Sequence, residues 1–232
     1  MPSNHRWSND EELFAAIRSS LFPAVVGDVM DAMGYIHQFL PPQIQPLRDD
    51  MVVLGRAMPV LEEDINAEEA GQTAEATRSF GLMLDALDDL KKNEVYLCTG
   101  GSPVYATWGE LMSTRARQLG AAGAVLNGYS RDTRGILKLG FPTFSIGRFA
   151  QDQRPRGRVA GYRTTVKIGK TVVEPGDLVF GDLDGVLVIP QTIEQDAVRA
   201  AIDKVEREEL VRQAFERENM SAAAAVARFG VM

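Results

Sequence analysis

GGSPVYATWGELMSTRARQLGAAGAVLNGYSRDTRG, residues 100–135, is the stretch on which the reading of this chain turns. It follows EVYLCTGG (94–101), an apolar run of strand length that enters a glycine pair. WGELMSTRARQLG (108–120) reads as a helix stopped by Gly120, and GAVLNG (123–128) as a short apolar strand. RDTRGILKLG (131–140) reads as a loop carrying one short helix. In strand–loop–helix–strand units the loops after successive strands gather at one edge of the sheet, where open α/β sheets bind ligands. The 100–110 and 128–135 loops are therefore expected to face a common cavity.

Each loop offers chemistry. A helix starting near Trp108 leaves backbone N–H groups free, those of Leu111 and Met112 among them, and such groups attract a carboxylate. Arg131 can grip the same carboxylate in bidentate fashion. Asp132 can hold a divalent cation through one oxygen, and Glu110 can pass a proton through a neighbouring water. A 2-oxo acid would suit this set. Plainer readings stand beside it. Thr107-Trp108-Gly109-Glu110 fits a capping box, in which Glu110 only caps its helix. Arg131-Asp132 fits a surface charge pair, and Gly100-Gly101 an ordinary turn. Cys98 reads as a packed core thiol, and His37, beside a proline-rich connector, as a surface or packing residue.

Outward from this segment, SNDEELFAAIRSS (8–20) predicts a helix capped by Ser8 or Asn9, with Leu13, Phe14 and Ile17 as its apolar stripe. AVVGDVMDAMG (24–34) predicts a second helix stopped by Gly34. Pro41, Pro42 and Pro46 make the next stretch an extended connector. VVLGRAMPVLE (52–62) predicts a strand, 64–92 an acidic helix, and FPTFSIG (141–147) a further strand. Residues 159–190 alternate β-rich runs with Gly and Pro-Gly turns and predict several strands, and 192–227 predicts helix. The pattern fits an α/β fold with a layered β/β/α core and terminal helices, read as one domain over 1–232 with a helical arm at about 1–20.

The bulk numbers narrow the function. Lys plus Arg is 25 against 32 Asp plus Glu, a net charge of −7 with no basic run, which disfavours nucleic acid as a partner. One cysteine excludes an intrachain disulfide and a cysteine-based zinc site. With two histidines, His5 and His37, a metal site has to lean on carboxylates and water, which favours Mg²⁺ or Mn²⁺. The polar start resembles no signal peptide and no apolar run is long enough for a bilayer, so no membrane partner and a cytoplasmic location are expected.

Glu110, twenty intervening residues, then Arg131-Asp132 resembles the signature of 4-hydroxy-4-methyl-2-oxoglutarate / 4-carboxy-4-hydroxy-2-oxoadipate aldolases of the RraA-like family. GDVMDAMG (27–34), GRAMPV (55–60), GFPTFSIG (140–147) and EPGDLVFGDLDGVLVIP (174–190) agree with it. The resemblance implies a swivelling β/β/α fold in trimers or hexamers, with sites between subunits. It implies a class II pyruvate aldolase that cleaves 4-hydroxy-2-oxo diacids, with oxaloacetate decarboxylation as a side activity. By matching positions, Arg131 would bind the substrate carboxylate with the Leu111 and Met112 amides, and Asp132 would anchor Mg²⁺ or Mn²⁺. Glu110 would join the proton-moving water network, and Gly101 would line the pocket. Glu110 stands where those aldolases commonly carry Asp and the non-catalytic ribonuclease regulators tend to carry Gly. A glutamate from a neighbouring subunit joins some sites of the family, for which Glu206, Glu208 and Glu209 are the candidates. Alternatives are a non-catalytic oligomeric regulator of an RNA-processing enzyme, an enzyme acting on another 2-oxo or hydroxy acid, and a Schiff-base aldolase built on Lys138, the one lysine in an apolar setting.

Overall fold

The computed structural model describes residues 7–65 and 80–231. Of the predicted helix over 64–92, residues 66–79 lie outside that range, as does His5; in the described remainder Asp64 ends a strand and only Met83–Asp88 is α-helical, a shorter helix than expected. The chain divides into two compact units, one made of both termini (1–36 and 192–232) and one of residues 37–191.

In the terminal unit, α1 (Asp10–Ser20) buries Leu13, Phe14 and Ile17, the predicted stripe. Asn9 caps it, its side chain accepting from the Glu12 N–H at 2.9 Å. Helix α2 (Pro23–Ala32) starts on a proline and ends at Gly34, whose φ is +91°. Gly34 N–H bonds Asp31 O and Tyr35 N–H bonds Met30 O, the paired bonds of a Schellman stop. The predicted helix over 192–227 is two helices here. Asn219, at φ +48°, ends the first, and Ser221 caps the second.

The central unit holds a nine-stranded mixed sheet. Its strands are β1 (Gln45–Pro46), β2 (Val53–Asp64), β3 (Glu94–Thr99), β4 (Ala106–Trp108), β5 (Gly123–Ser130), β6 (Thr143–Arg148), β7 (Gly157–Tyr162), β10 (Leu178–Asp182) and β11 (Gly185–Ile189). The spatial order is β1-β6-β5-β3-β2-β10-β11, with β4 beside β5 and β7 beside β2. Strands β2, β3, β5 and β6 run parallel. The hairpin β10–β11 closes antiparallel onto β2. A separate hairpin pairs β8 (Val166–Ile168) with β9 (Thr171–Val173). Crossovers are supplied by α3 (Met83–Asp88), α4 (Glu110–Gln118) and α5 (Thr133–Leu139). In the terminal unit, α6 (Glu194–Glu218) and α7 (Ala222–Phe229) complete the order.

The parallel strands read as near-continuous apolar runs because both faces are covered. Val95, Tyr96 and Leu97 of β3, and Ala124, Val125 and Leu126 of β5, are all fully buried. Glu174-Pro175-Gly176-Asp177 makes the predicted Pro-Gly turn, with Gly176 at φ +91° and the Asp177 carboxylate accepting from the Glu174 N–H. Strand β4 differs from the sequence expectation, which began a helix at Trp108. Trp108 instead pairs with Ser130 of β5 and packs on Tyr96 and Phe141, and the helix starts at Glu110. Burying a large indole outweighs the local helix signal.

Candidate functional site

The end of β4 and the end of β5 lie side by side because the two strands are parallel neighbours. Arg131 N–H bonds Trp108 O at 2.9 Å, which fixes the loop after β5 against the turn into α4. Trp108 Nε1 donates to Ser113 Oγ at 2.7 Å, and Ser113 Oγ donates to Gly109 O at 3.0 Å, which locks that turn from within. Gly109 is the N-cap of α4 and has no side chain to cap it. The first N–H groups of the helix, those of Leu111 and Met112 included, therefore have no capping side chain. Thr107 does not form the expected capping box. It lies on β4, and its hydroxyl pairs with Cys98 Sγ at 3.3 Å.

Arg131 and Asp132 stand at this junction. Asp132 is in the left-handed region at φ +55°, one of the few non-glycine residues there, and its side chain does not cap α5. Its carboxylate is half exposed and lies 3.8 Å from Arg131 Nε. Arg131 Nη1 also reaches Asp152 Oδ1 at 3.3 Å. A Cβ on Gly109 would come within 2.8 Å of Asp132 Oδ2, so the glycine keeps space open at that oxygen.

These residues border a cavity of about 280 Å³. Its polar side is Thr107, Gly109, Arg131, Asp132, Asp152 and Gln153, and its apolar side is formed chiefly by Phe80, Met83, Leu87 and Met112. Leu111, on the rim, is 78% exposed. Apolar walls with a few convergent polar groups are the usual make-up of a small-molecule site.

Behind the polar wall lies a buried carboxyl. Glu62 of β2 is 2% exposed, and its Oε2 accepts from Gln153 Nε2. Its Oε1 and the nearby Tyr96 hydroxyl are buried without a partner among the described residues. Burial pushes the Glu62 carboxyl up to about 8, against a smaller opposing effect of the Gln153 bond. The same burial raises the Tyr96 hydroxyl and the Cys98 thiol, and Glu62 adds to both. Outside this pocket of polar groups, Asp64 accepts from Ser102 N–H and Tyr105 Oη–H, both at 2.9 Å, and the Ser102 bond does most to hold its carboxyl low.

Of the residues singled out in the sequence, Arg131, Asp132, Leu111 and Met112 come together on the cavity. Glu110 and Gly101 are not among its lining residues. Glu110 packs against Gly135, where a Cβ would lie 2.3 Å from Glu110 Cγ, and its Oε1 accepts from Thr114 Oγ at 3.2 Å. Gly101 lies against Tyr105, whose hydroxyl would be 2.3 Å from an added Cβ. Lys138 stands exposed on α5, which corrects the expectation of an apolar setting and removes the burial a Schiff-base lysine needs. In the terminal unit, Glu208 pairs with Lys204, which also reaches Asp28 at 3.1 Å, Glu209 pairs with Arg212, and Glu206 is exposed. Cys98 is the packed core thiol expected, and His37 is exposed.

Sequence reasoning missed Glu62, Asp152 and Gln153. Glu62 continues the inward row of Met58 and Val60 on β2, while Leu61 faces out. An acid on the core face of a strand is the signal that finds it. Asp152 and Gln153 lie in an irregular polar stretch between β6 and β7, where no period points to them. Among the described residues no group of three or more His, Cys, Asp or Glu forms a ready metal cage, and no single helix is long and apolar enough to cross a membrane.

Comparison with known proteins bears on this geometry. The chain is 27% identical over 193 residues to Protein DlpA of Legionella pneumophila, covering 83% of this chain but only 30% of DlpA. It is 29% identical over 180 residues to a Halalkalibacterium halodurans protein named "Putative 4-hydroxy-4-methyl-2-oxoglutarate aldolase", covering 77% of each. The crystal structure of Streptomyces coelicolor RraAS2, described as an unusual member of the RNase ES inhibitor RraA protein family, superposes with a TM-score of 0.76 at 23% identity over 89% of this chain and 99% of that one. Such a likeness shows the shared fold. The sequence model of the RraA-like family, Aldolase/RraA, matches residues 24–188, and the chain belongs to that family.

Proposed function

We propose that this chain is a divalent-metal-dependent pyruvate aldolase that cleaves 4-hydroxy-2-oxo diacids, with oxaloacetate decarboxylation as a side activity. The observation that carries the reading is the meeting of Arg131, Asp132 and the uncapped start of α4 on one cavity. A guanidinium and helix N-terminal amides together bind a carboxylate, and a half-exposed carboxylate beside them holds a hard cation.

The donor set fits Mg²⁺ or Mn²⁺. Asp132 is exposed, its side chain does not cap its helix, and Gly109 leaves its Oδ2 unobstructed. One carboxylate with water completing the shell suffices for Mg²⁺. When bound, the ion supplies Lewis-acid stabilisation of negative charge on a keto oxygen. In this reading Arg131 and the Leu111 and Met112 amides orient the 2-oxo acid by its C1 carboxylate. Asp152, already on Arg131, holds the guanidinium in place. Glu110 stays outside the wall and orders the water that takes the C4 hydroxyl proton. The C3–C4 bond then breaks, and the same water returns the proton to C3, which becomes the methyl group of pyruvate. The same reading makes the working form a homo-oligomer, trimer or hexamer, in which a neighbouring copy covers Leu111 and brings one of Glu206, Glu208 or Glu209.

Pyruvate release tests the proposal. The substrates are 4-hydroxy-4-methyl-2-oxoglutarate and oxaloacetate, each with Mg²⁺ and with EDTA. Release that needs metal from both supports the enolate chemistry. Absence of release from both, with folded protein and metal present, refutes it and favours a non-catalytic regulator.

A further inference from the structure

Glu62 is a carboxyl the proposed reaction does not use, set one residue behind the cavity surface. Its contact with the cavity is Gln153, which lines the wall and meets Glu62 through one end of its amide. A primary amide has a donor end and an acceptor end. The end that faces Glu62 decides which end faces the cavity.

An ionised Glu62 can only accept. It draws the Gln153 NH₂ inward and leaves the amide oxygen toward the cavity. A protonated Glu62 can donate to the amide oxygen, which turns the NH₂ outward. The surroundings bring both states within reach. Tyr96 and Cys98 of β3 and Tyr105 of the loop before β4 are the titratable groups that act electrostatically with Glu62. The nearby charges are engaged elsewhere. Asp152 takes Arg131, Glu63 takes Arg158, and Asp64 takes Ser102 and Tyr105. Among the described residues no cation is one of the groups that act on Glu62, and burial pushes its carboxyl up to about 8. Glu62 Oε1, which has no partner among the described residues, leaves one oxygen to carry or release the proton.

We infer that Glu62 and Gln153 form a specificity-determining pair in the cavity wall. Protonated, the pair presents an amide N–H to a carbonyl or carboxylate oxygen of the ligand; ionised, it presents an amide oxygen to a ligand hydroxyl. Neither residue acts on the reacting atoms. Their choice of ligand rests on the oxo-acid reading of the cavity, whereas their coupling to each other does not.

The test has two arms on the full chain. In the first, nuclear magnetic resonance follows the Gln153 side-chain amide and the Glu62 carboxyl carbon from pH 6 to 9.5 without ligand. Both signals are expected to move with one midpoint, and the Gln153 shift is expected to vanish in Glu62→Gln. A Gln153 amide that stays fixed while Glu62 titrates, or a Glu62 carboxyl ionised throughout, overturns the pair. In the second arm, calorimetry follows pyruvate binding with Mg²⁺ present over the same range. Affinity is expected to fall about tenfold as pH rises in the wild type, the worth of one hydrogen bond, and to stay flat in Glu62→Gln. Equal pH dependence in both proteins overturns the specificity role. Coupled titration with no pyruvate binding at any pH upholds the pair and contradicts the oxo-acid reading instead.

Discussion

The mouth of the cavity and its inner wall each hold a carboxyl group, and the two behave as opposites. Asp132 is half exposed, sits 3.8 Å from a guanidinium, and stands on strained backbone at the end of a strand. Glu62 is buried inside a strand, meets the Gln153 amide as its side-chain partner among the described residues, and is pushed up to about 8. The first faces solvent beside a guanidinium, at the position the proposed reading gives to a metal ligand. Desolvation keeps the second neutral over much of the physiological range. A carboxyl's role in this molecule follows from its burial and partners rather than its residue type.

The contrast can be broken at the mouth first. Asp132→Ala is expected to lower metal-dependent pyruvate release by roughly three orders of magnitude, in line with the loss of a group that holds the charge-stabilising ion. Circular dichroism of the variant should remain that of the wild type. Arg131→Lys is expected to raise KM about a hundredfold with a smaller change in kcat, since an ammonium cannot replace the bidentate fork. Gly109→Ala places a methyl against Asp132 Oδ2 and is expected to weaken Mg²⁺ affinity about tenfold, read by titrating activity against metal.

The inner wall yields a stability effect. The Glu62 carboxyl is raised by folding, so the folded state holds its proton where the unfolded chain has lost it. The contribution is therefore complete below about pH 4.5, falls as pH rises, and is gone above about 8. Each pH unit of that window is worth about 1.4 kcal/mol, which makes the total a few kcal/mol. Glu62→Gln should remove the slope, so that denaturant unfolding shows the variant gaining on the wild type between pH 5 and 9. The smallest effect is expected from Asp152→Asn, a pair more than a third exposed on the Arg131 side. It should shift KM only a few-fold and leave kcat within a factor of two.

Much of the sheet was legible in the sequence because buried parallel strands are apolar and separated by helices with glycine stops. The runs at 94–101, 123–128 and 141–147 each became a strand. The helix ends at Gly34 and Gly120 were legible for the same reason, a left-handed stop. Strand β4 was not, because three residues carry no period and only pairing with β5 makes them a strand. At the site, Arg131 and Asp132 were legible as neighbours in sequence, and Leu111 and Met112 as the start of a helix. Asp152 was hidden, since its ion pair with Arg131 joins residues 21 positions apart that no local pattern relates. Glu62 was written into β2 as an acid on the core face, a conflict between residue and environment that marks places where function overrides packing.

Manganese binding tests the central claim most directly, because it reads the site without the reaction. Mn²⁺ titrated into the wild type and into Asp132→Ala, followed by electron paramagnetic resonance, should show one bound ion per chain that Mg²⁺ displaces in the wild type and none in the variant. Equal binding in both proteins, or binding in neither, would contradict the assignment of Asp132 as the residue that holds the metal.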